Sequence, residues 1–275
     1  MRSENLLPNQ LLSPYISKYN FTDLTISLPI EKCIPDGSVK LFIYESENHL
    51  QYFTANGKKL NWKNGVGGHP LSNDCYMKLD KPGIKVVICY FKATGFYRFF
   101  KIPIHLLNND VIPAEEIFGR EYRIILSMLQ NATTNYEKKN ILDRFFSSLF
   151  LKKQPPKTTL ISLAEDCILN NTGNIKIERI TSMLNISPRT LERYFIERVG
   201  MSPKQFCKVI RFNQAVLLRK LHPDFSWVEI IFRCGYYDQS HYIGEFKSFT
   251  GLSPNRFYSK DFTISELYTG NYLNQ

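Results

Sequence analysis

Apolar positions change their period partway along the chain. Over roughly the first 110 residues they fall in short runs rich in Val, Ile, Tyr and Phe, which is the composition of half-buried strands. These runs lie at 25–30, 39–44, 50–53 and 85–91. Between them stand turn clusters: Pro35-Asp36-Gly37, Asn56-Gly57, Asn64-Gly65 with Gly67-Gly68, and Pro82-Gly83. Such spacing predicts a small antiparallel sandwich or barrel. From Pro113 the period becomes helical. Ile117, Ile124, Ile125 and Met128 mark one helix, and after a polar break at 131–135, residues Ile141, Leu142, Phe145, Phe146, Leu149 and Phe150 mark another. Adjacent prolines resist helix and lysines favour water, so 152–158, containing Lys152-Lys153-Gln154-Pro155-Pro156-Lys157, reads as a linker. Leu160, Ile161, Ala164, Cys167 and Ile168 then open an all-helical part. The expected class is α+β: a small N-terminal antiparallel β-barrel or sandwich with helices at 1–151, the linker, an all-α domain at 159–260, and a tail at 261–275.

The helical part repeats itself. Phe195-x4-Gly200-Met201-Ser202-Pro203-x2-Phe206 returns as Phe246-x4-Gly251-Leu252-Ser253-Pro254-x2-Phe257. Gly accepts the positive φ of a helix end, Ser caps a new helix, and Pro fits its first turn. Ahead of each copy lies a short apolar-periodic helix, at 177–184 and 227–233, and a tight connection, Leu184-Asn185-Ile186 or Cys234-Gly235-Tyr236-Tyr237. The next helix starts at Ser187-Pro188 in one copy and at Asp238 in the other. Helix, tight turn, helix is a plan whose second helix can enter a DNA major groove.

At 100° per residue, Leu191, Tyr194, Phe195 and Val199 share the inner side of the first reader helix. Arg189 and Arg193 then point outward, with Thr190 and Glu192 on the shoulders. In the second, Tyr242 and Phe246 face inward; Gln239, Ser240, Ile243, Gly244 and Lys247 face outward or lie near the N-terminus, with His241 on a shoulder. Two outward guanidiniums suit guanine edges or phosphates. Any amphipathic surface helix also turns its charges outward, and only the repetition in register separates the two readings.

Ser187-Pro188-Arg189-Thr190-Leu191-Glu192-Arg193-Tyr194-Phe195, followed by Gly200-Met201-Ser202-Pro203, resembles the first reader helix of AraC/XylS-type transcription regulators. Cys234-Gly235-Tyr236-Tyr237-Asp238-Gln239-Ser240-His241-Tyr242, Phe246-Lys247 and Thr250-Gly251-Leu252-Ser253-Pro254 resemble that family's signature more closely still. The resemblance implies two helix-turn-helix units joined by a long helix, here from Pro203 to Lys220, entering successive major grooves. It implies base-reading roles for Arg189, Glu192 and Arg193, and for Gln239, Ser240, His241 and Ile243; Ser187, Thr190 and Lys247 complete the expected DNA-binding set. Gly244 departs from the pattern, standing 51 positions after Arg193 where many members carry a basic or polar side chain. Thr181 and Ile231 stand where alanine is frequent. The stretches Ile34-Pro35-Asp36-Gly37-Ser38-Val39-Lys40-Leu41 and Cys89 to Arg98, with Pro103, resemble an uncharacterised cupin-like domain often fused to such units.

Composition adds bounds. The 275 residues are 43% hydrophobic and 14% aromatic, enough to bury two domain cores, and carry a formal charge of +10. Eighteen basic residues stand against fourteen acidic before Leu151, and seventeen against eleven from there on, so charge favours an anionic partner without locating it. The six cysteines lack C-x-x-C spacing and no leader or membrane-spanning run is evident, which predicts free thiols in a cytoplasmic protein that does not engage membranes. His49, His69 and His105 are scattered without a His-x-His pair, so neither a metal nor another cofactor is expected.

The aromatic residues Phe42, Tyr44, Tyr52, Trp62, Phe91 and Phe96 either enclose a small effector or simply fill the barrel. The helices from Pro113 to Leu151 either cover their own domain or pair two subunits into a homodimer. The leading function is a DNA-binding, effector-modulated regulator with no enzymatic step, acting on double-stranded DNA, with RNA polymerase as a further partner; the family leans toward activation. The alternatives are a cupin-type enzyme, a methyl-accepting thiol protein, or a partner-binding module tethered to DNA.

Overall fold

The computed structural model describes residues 2–24, 28–45, 51–53, 59–60, 64–71, 76–79 and 83–258. The expected turn at Asn56-Gly57, Trp62 and the 261–275 tail lie outside them. The chain divides into two units: 1–33 with 38–157, and 158–275 together with Ile34–Gly37.

The first unit holds two antiparallel sheets. The larger runs in the order β1 (Arg2–Leu6), β2 (Ile16–Leu24), β9 (Ile84–Phe91), β4 (Val39–Tyr44), β7 (Asn64–Gly67), β10 (Val111–Pro113). The smaller runs β3 (Leu28–Lys32), β8 (Tyr76–Leu79), β5 (Gln51–Phe53), β6 (Lys59–Leu60). β4 has the expected bounds, while β1 and β2 had not been expected, because Glu, Lys, Asn and Asp are poor strand formers. Their polar side chains satisfy one another instead, with Asn20 and Thr22 buried beneath exposed Ser3 and Asn5. Asn20 Nδ2 donates to Ser3 Oγ at 2.8 Å and to Asn5 Oδ1 at 3.0 Å, and Thr22 Oγ1 donates to Asn20 Oδ1 at 2.6 Å. Asn64-Gly65 with Gly67 forms no turn. It is strand β7, and its glycines admit β10: a Cβ on Gly65 would come within 2.8 Å of the Ile112 carbonyl oxygen.

Alternation sorts the larger sheet into two buried faces. On one, Tyr19, Cys89 and Leu41 form a row in register, as do Phe21, Val87 and Ile43. This face packs on α1 (Gly95–Phe100), α3 (Arg120–Asn131) and α4 (Asn135–Lys153) in one apolar core. The other face carries the rows Lys18-Tyr90-Lys40, Asn20-Ile88-Phe42 and Thr22-Val86-Tyr44. Both lysine ammoniums lie over the Tyr90 ring, at 5.1 and 5.5 Å from its centroid.

The expected single helix from Ile117 to Met128 is two. Gly119, at φ 64°, ends α2 (Ala114–Phe118), and α3 buries Tyr122, Ile125 and Leu129 while Ile124 and Met128 stay exposed. α4 starts in a capping box between Thr134 and Glu137 and buries the stripe read from the sequence, Phe150 at its end being half-buried. It takes in Lys152 and Lys153. The prolines that follow are held to the first unit: Tyr15 Oη donates to the Pro155 carbonyl at 2.8 Å, and buried Arg98 donates to the carbonyls of Pro14, Pro156 and Lys157.

The regular elements of the second unit, among its described residues, are all helices. α5 (Leu160–Asn170), α6 (Ile177–Leu184) and α7 (Pro188–Arg198) form one bundle, and α9 (Trp227–Arg233), α10 (Gln239–Thr250) and α11 (Pro254–Tyr258) another. α8 (Pro203–Leu221) runs through both, burying Phe206 and Val209 near its start and Phe212, Ala215 and Val216 further on.

Candidate nucleic-acid interface

Each helix-turn-helix is set by local chemistry that the sequence displays. α6 ends on Asn185 at φ 51°, the left-handed conformation that asparagine tolerates, and Ser187 Oγ accepts the Thr190 N–H at 3.1 Å to start α7. The second unit repeats the plan with Gly235 at φ 69° and with Asp238 Oδ1 accepting the His241 N–H at 2.7 Å. Gly200, at φ 90°, closes α7, and Ser202 with Pro203 opens α8.

α7 buries Leu191 and Phe195, with Val199 at its cap, and exposes Arg189, Glu192, Arg193 and Ile196, which share one face at spacings of three and four. Tyr194, expected inside with them, is half-buried and lies beneath the guanidiniums of Arg193 and Arg198, at 5.0 and 4.2 Å. Thr190 is half-buried too, and its hydroxyl lies 2.9 Å from Ser187 Oγ, so both side chains serve the cap.

On α10, Gln239, Ser240, His241, Gly244 and Lys247 are exposed around the helix start and along one side. Ile243 is not among them. It is half-buried against the core formed by Phe212, Tyr242 and Phe246, which corrects its expected outward placement. A Cβ on Gly244 would meet nothing within 4 Å, so the gap in this face is open space rather than a packing need. At the other two departures, Thr181 is buried and donates to the Glu178 carbonyl at 2.9 Å, and Ile231 is buried in the second core.

Two features escaped the sequence reading. Tyr237 stands 92% exposed immediately ahead of α10, while its neighbour Tyr236 is buried. Only the doubled tyrosine in the turn hinted at such a division. Below α10, Glu245 occupies an inward position next to Phe246 and is 6% exposed. Its carboxylate accepts from Arg211 Nη2 at 2.7 Å, from Arg211 Nε at 3.3 Å and from Tyr236 Oη at 2.8 Å, tying the second reader helix to α8. His241 Nε2 lies 3.8 Å away. Burial, then the Glu245 charge, pushes the Tyr236 hydroxyl well above the ordinary tyrosine range.

Of the six aromatic residues considered for an effector, the four whose side chains are described do not line one cavity. Phe91 and Phe96 meet edge to face at 5.2 Å in the helix-facing core, with Phe146 on Phe91 at 5.6 Å. Phe42 and Tyr44 lie on the sheet's opposite face, and the Tyr52 side chain, like Trp62, is outside what the structure describes. Among the described residues no His, Cys, Asp and Glu side chains gather in a way that would hold a metal ion. Burial pushes the Cys207 thiol up to about 11 and the Cys234 thiol up to about 12, the reverse of what an activated thiolate needs. No described helix is long and apolar enough to cross a membrane.

Two reader helices in one compact unit, joined by a single long helix and accompanied by a β-sheet unit, define a tandem helix-turn-helix protein. Residues 180–260 match the family model described as "Helix-turn-helix domain", and residues 4–113 match "Domain of unknown function (DUF6597)". The curated relatives include the HTH-type transcriptional activator RhaS of Klebsiella pneumoniae, 31% identical over 77 residues, which are 28% of this chain and 27% of that protein. RhaS of Enterobacter sp. is 23% identical over 146 residues, 49% of this chain and 52% of that protein. The chain thus spans between about a quarter and a half of the length of these relatives. Among solved structures, unsaturated fatty acid bound wild-type ToxT from Vibrio cholerae aligns with a TM-score of 0.49 at 17% identity, covering 94% of this chain and 96% of that one. The C-terminal domain of AraT, a response regulator from Geobacillus stearothermophilus, aligns with a TM-score of 0.35 at 25% identity over 42% of this chain and 96% of that one. The C-terminal domain of this chain is a helix-turn-helix domain of the AraC type.

Proposed function

We propose that the protein is a sequence-specific, DNA-binding transcription regulator. The observation that carries this reading is the pair of capped reader helices in one unit, each presenting an exposed polar face. Arg189, Glu192 and Arg193 on α7, and Gln239, Ser240 and His241 on α10, are the groups assigned to base edges; Lys247 is assigned to phosphate, and Ser187 and Thr190 to holding the first reader's start. Insertion into two major grooves about one helical turn, roughly 34 Å, apart follows from the plan of such domains. Because the second face lacks a cation at Gly244, the first reader supplies more of the base discrimination.

The test is an anisotropy titration against the DNA upstream of the protein's own gene and a shuffled copy, at fixed near-physiological salt with competitor. A preference of about a hundredfold for the natural sequence is expected. Arg193→Ala removes on the order of 1–3 kcal/mol of that preference where Arg193 makes a bidentate base contact. Equal binding of both DNAs by the unaltered protein overturns the reading.

The relatives are named activators, which supports activation as the output and RNA polymerase as a further partner. Effector modulation, the finer part of this proposal, would act through the β-sheet unit that accompanies the readers. Exposed Ile124 and Met128 on α3 and Leu151 on α4 support homodimerisation through that helical layer.

A further inference from the structure

At the start of α10 lies a cleft of about 680 Å³ whose walls come from three parts of the helical unit. The loop before α6 and the first turn of α6 contribute Asn174, Lys176 and Arg179. The start of α8 contributes Lys204, Cys207, Lys208 and Arg211, and α10 contributes His241. The cleft is rigidly framed. A Cβ on Gly173 would come within 2.9 Å of the Arg211 amide nitrogen, so the loop backbone lies directly on α8. A Cβ on Gly235 would likewise come within 2.6 Å of the Asn174 side chain, so the second unit's turn closes on that loop.

Its charge is lopsided. Lys176, Arg179, Lys204 and Lys208 are exposed, Glu178 is the one acidic residue on its rim, and Arg211 is engaged by Glu245. Lys204, Lys208 and Arg211, at spacings of four and three, occupy one face of α8. The cleft also reaches the working side of the second reader. His241 is in the first turn of α10, and in this fold the first helix of a unit, here α6, crosses the phosphate backbone while the second enters the groove.

We propose that this cleft seats the phosphodiester backbone of the duplex segment running between the two major-groove sites, making a third, sequence-independent grip on DNA. The inference rests on the DNA-binding reading above. Four cations in a fixed concavity match a curved track of phosphates, and such contacts set register and affinity without reading bases. α8 is then more than a spacer between readers; its exposed face is a binding surface.

The experiment compares the full-length protein with Lys204→Gln/Lys208→Gln and, as a charge-matched control outside the cleft, Arg144→Gln/Lys153→Gln. Affinity for natural and shuffled DNA is measured from 50 to 200 mM salt, with a thermal melt of each variant to confirm folding. If each lysine neutralises one phosphate, the slope of log K against log salt becomes shallower by about 1.8 in the cleft variant. Its deficit relative to the unaltered protein then shrinks by about twelvefold across that range. Both DNAs lose affinity by the same factor, leaving the preference between them intact. An unchanged slope, or a change matched by the control pair, overturns the proposal while the regulator reading stands. A loss confined to the natural sequence also overturns it, because the lysines would then be reading bases. If the unaltered protein shows no preference between the DNAs but the cleft variant still loses slope, the regulator reading fails and the backbone seat survives.

Discussion

Replacing Glu245 with alanine removes the one acceptor shared by Arg211 and Tyr236. The native carboxylate is 3% exposed and takes two hydrogen bonds from a guanidinium whose side chain is 13% exposed. Removing one partner of a buried ion pair costs about 3–5 kcal/mol, because the other charge stays desolvated. Here the guanidinium keeps some water and rests on the Tyr236 ring at 4.7 Å, so we place Glu245→Ala at about 2–4 kcal/mol. Glu245→Gln, which retains an acceptor of the same shape, should lose less. Trp227 reports locally on this half of the domain, lying 5.9 Å from Tyr242, and its emission through a urea titration gives the midpoint and slope. Arg211→Met completes a double-mutant cycle, with a coupling of at least about 1 kcal/mol expected for partners in one network. A loss below about 1 kcal/mol for Glu245→Ala, or additive single substitutions, would refute the argument that this ion pair ties α10 to α8.

Other outcomes follow from local geometry. Gly244→Ala adds a Cβ that meets nothing within 4 Å, and should stabilise α10 by about 0.5–1 kcal/mol, read from the same urea transition; a destabilisation would contradict the open space seen there. Ser226→Ala removes the capping box of α9, in which Ser226 Oγ accepts the Glu229 N–H at 3.2 Å and Glu229 Oε2 accepts the Ser226 N–H at 2.7 Å. The hydrogen bonds from the Ser226 backbone and side chain hold the Glu229 carboxyl below its ordinary value of 4.5. A depressed carboxyl stabilises the fold fully above that ordinary value and loses its contribution as pH falls through the lower folded value. The deficit of Ser226→Ala should therefore be full at neutral pH and narrow in acid below about 4; a deficit independent of pH would remove Glu229 from the cap.

Sequence alone was enough wherever the governing physics is local. A Ser-Pro start, a glycine or asparagine stop and a stripe at helical spacing act over a few residues, so the boundaries of α6 to α10 and the outward placement of Arg189 and Arg193 follow from the chain itself. The stripe of α4 and the bounds of β4 were legible for the same reason. The resemblance to AraC-type readers, read from Ser187 to Pro254, rests on that local grammar.

Contacts between distant residues settled the rest. β2 looks unlike a strand until its neighbours place Ser3 and Asn5 opposite Asn20 and Thr22, because a polar residue is tolerated inside only when a partner is brought to it. Gly65 and Gly67 look like turn residues until β10 packs against them. Phe91 and the pair Phe42 and Tyr44 fall on opposite faces because strand alternation and sheet register, not residue type, decide which side each ring occupies. Glu245, near the middle of a reader helix, carries no local sign of its role, since Arg211 stands 34 positions earlier. The cleft beside α10 is likewise assembled from a loop, α6, α8 and α10, which only the packing of the domain brings to one place. Local rules determine which helices exist, where they begin and which stripe they bury, whereas desolvation and register, which require the folded partner, determine how the strands pair and which distant polar groups meet.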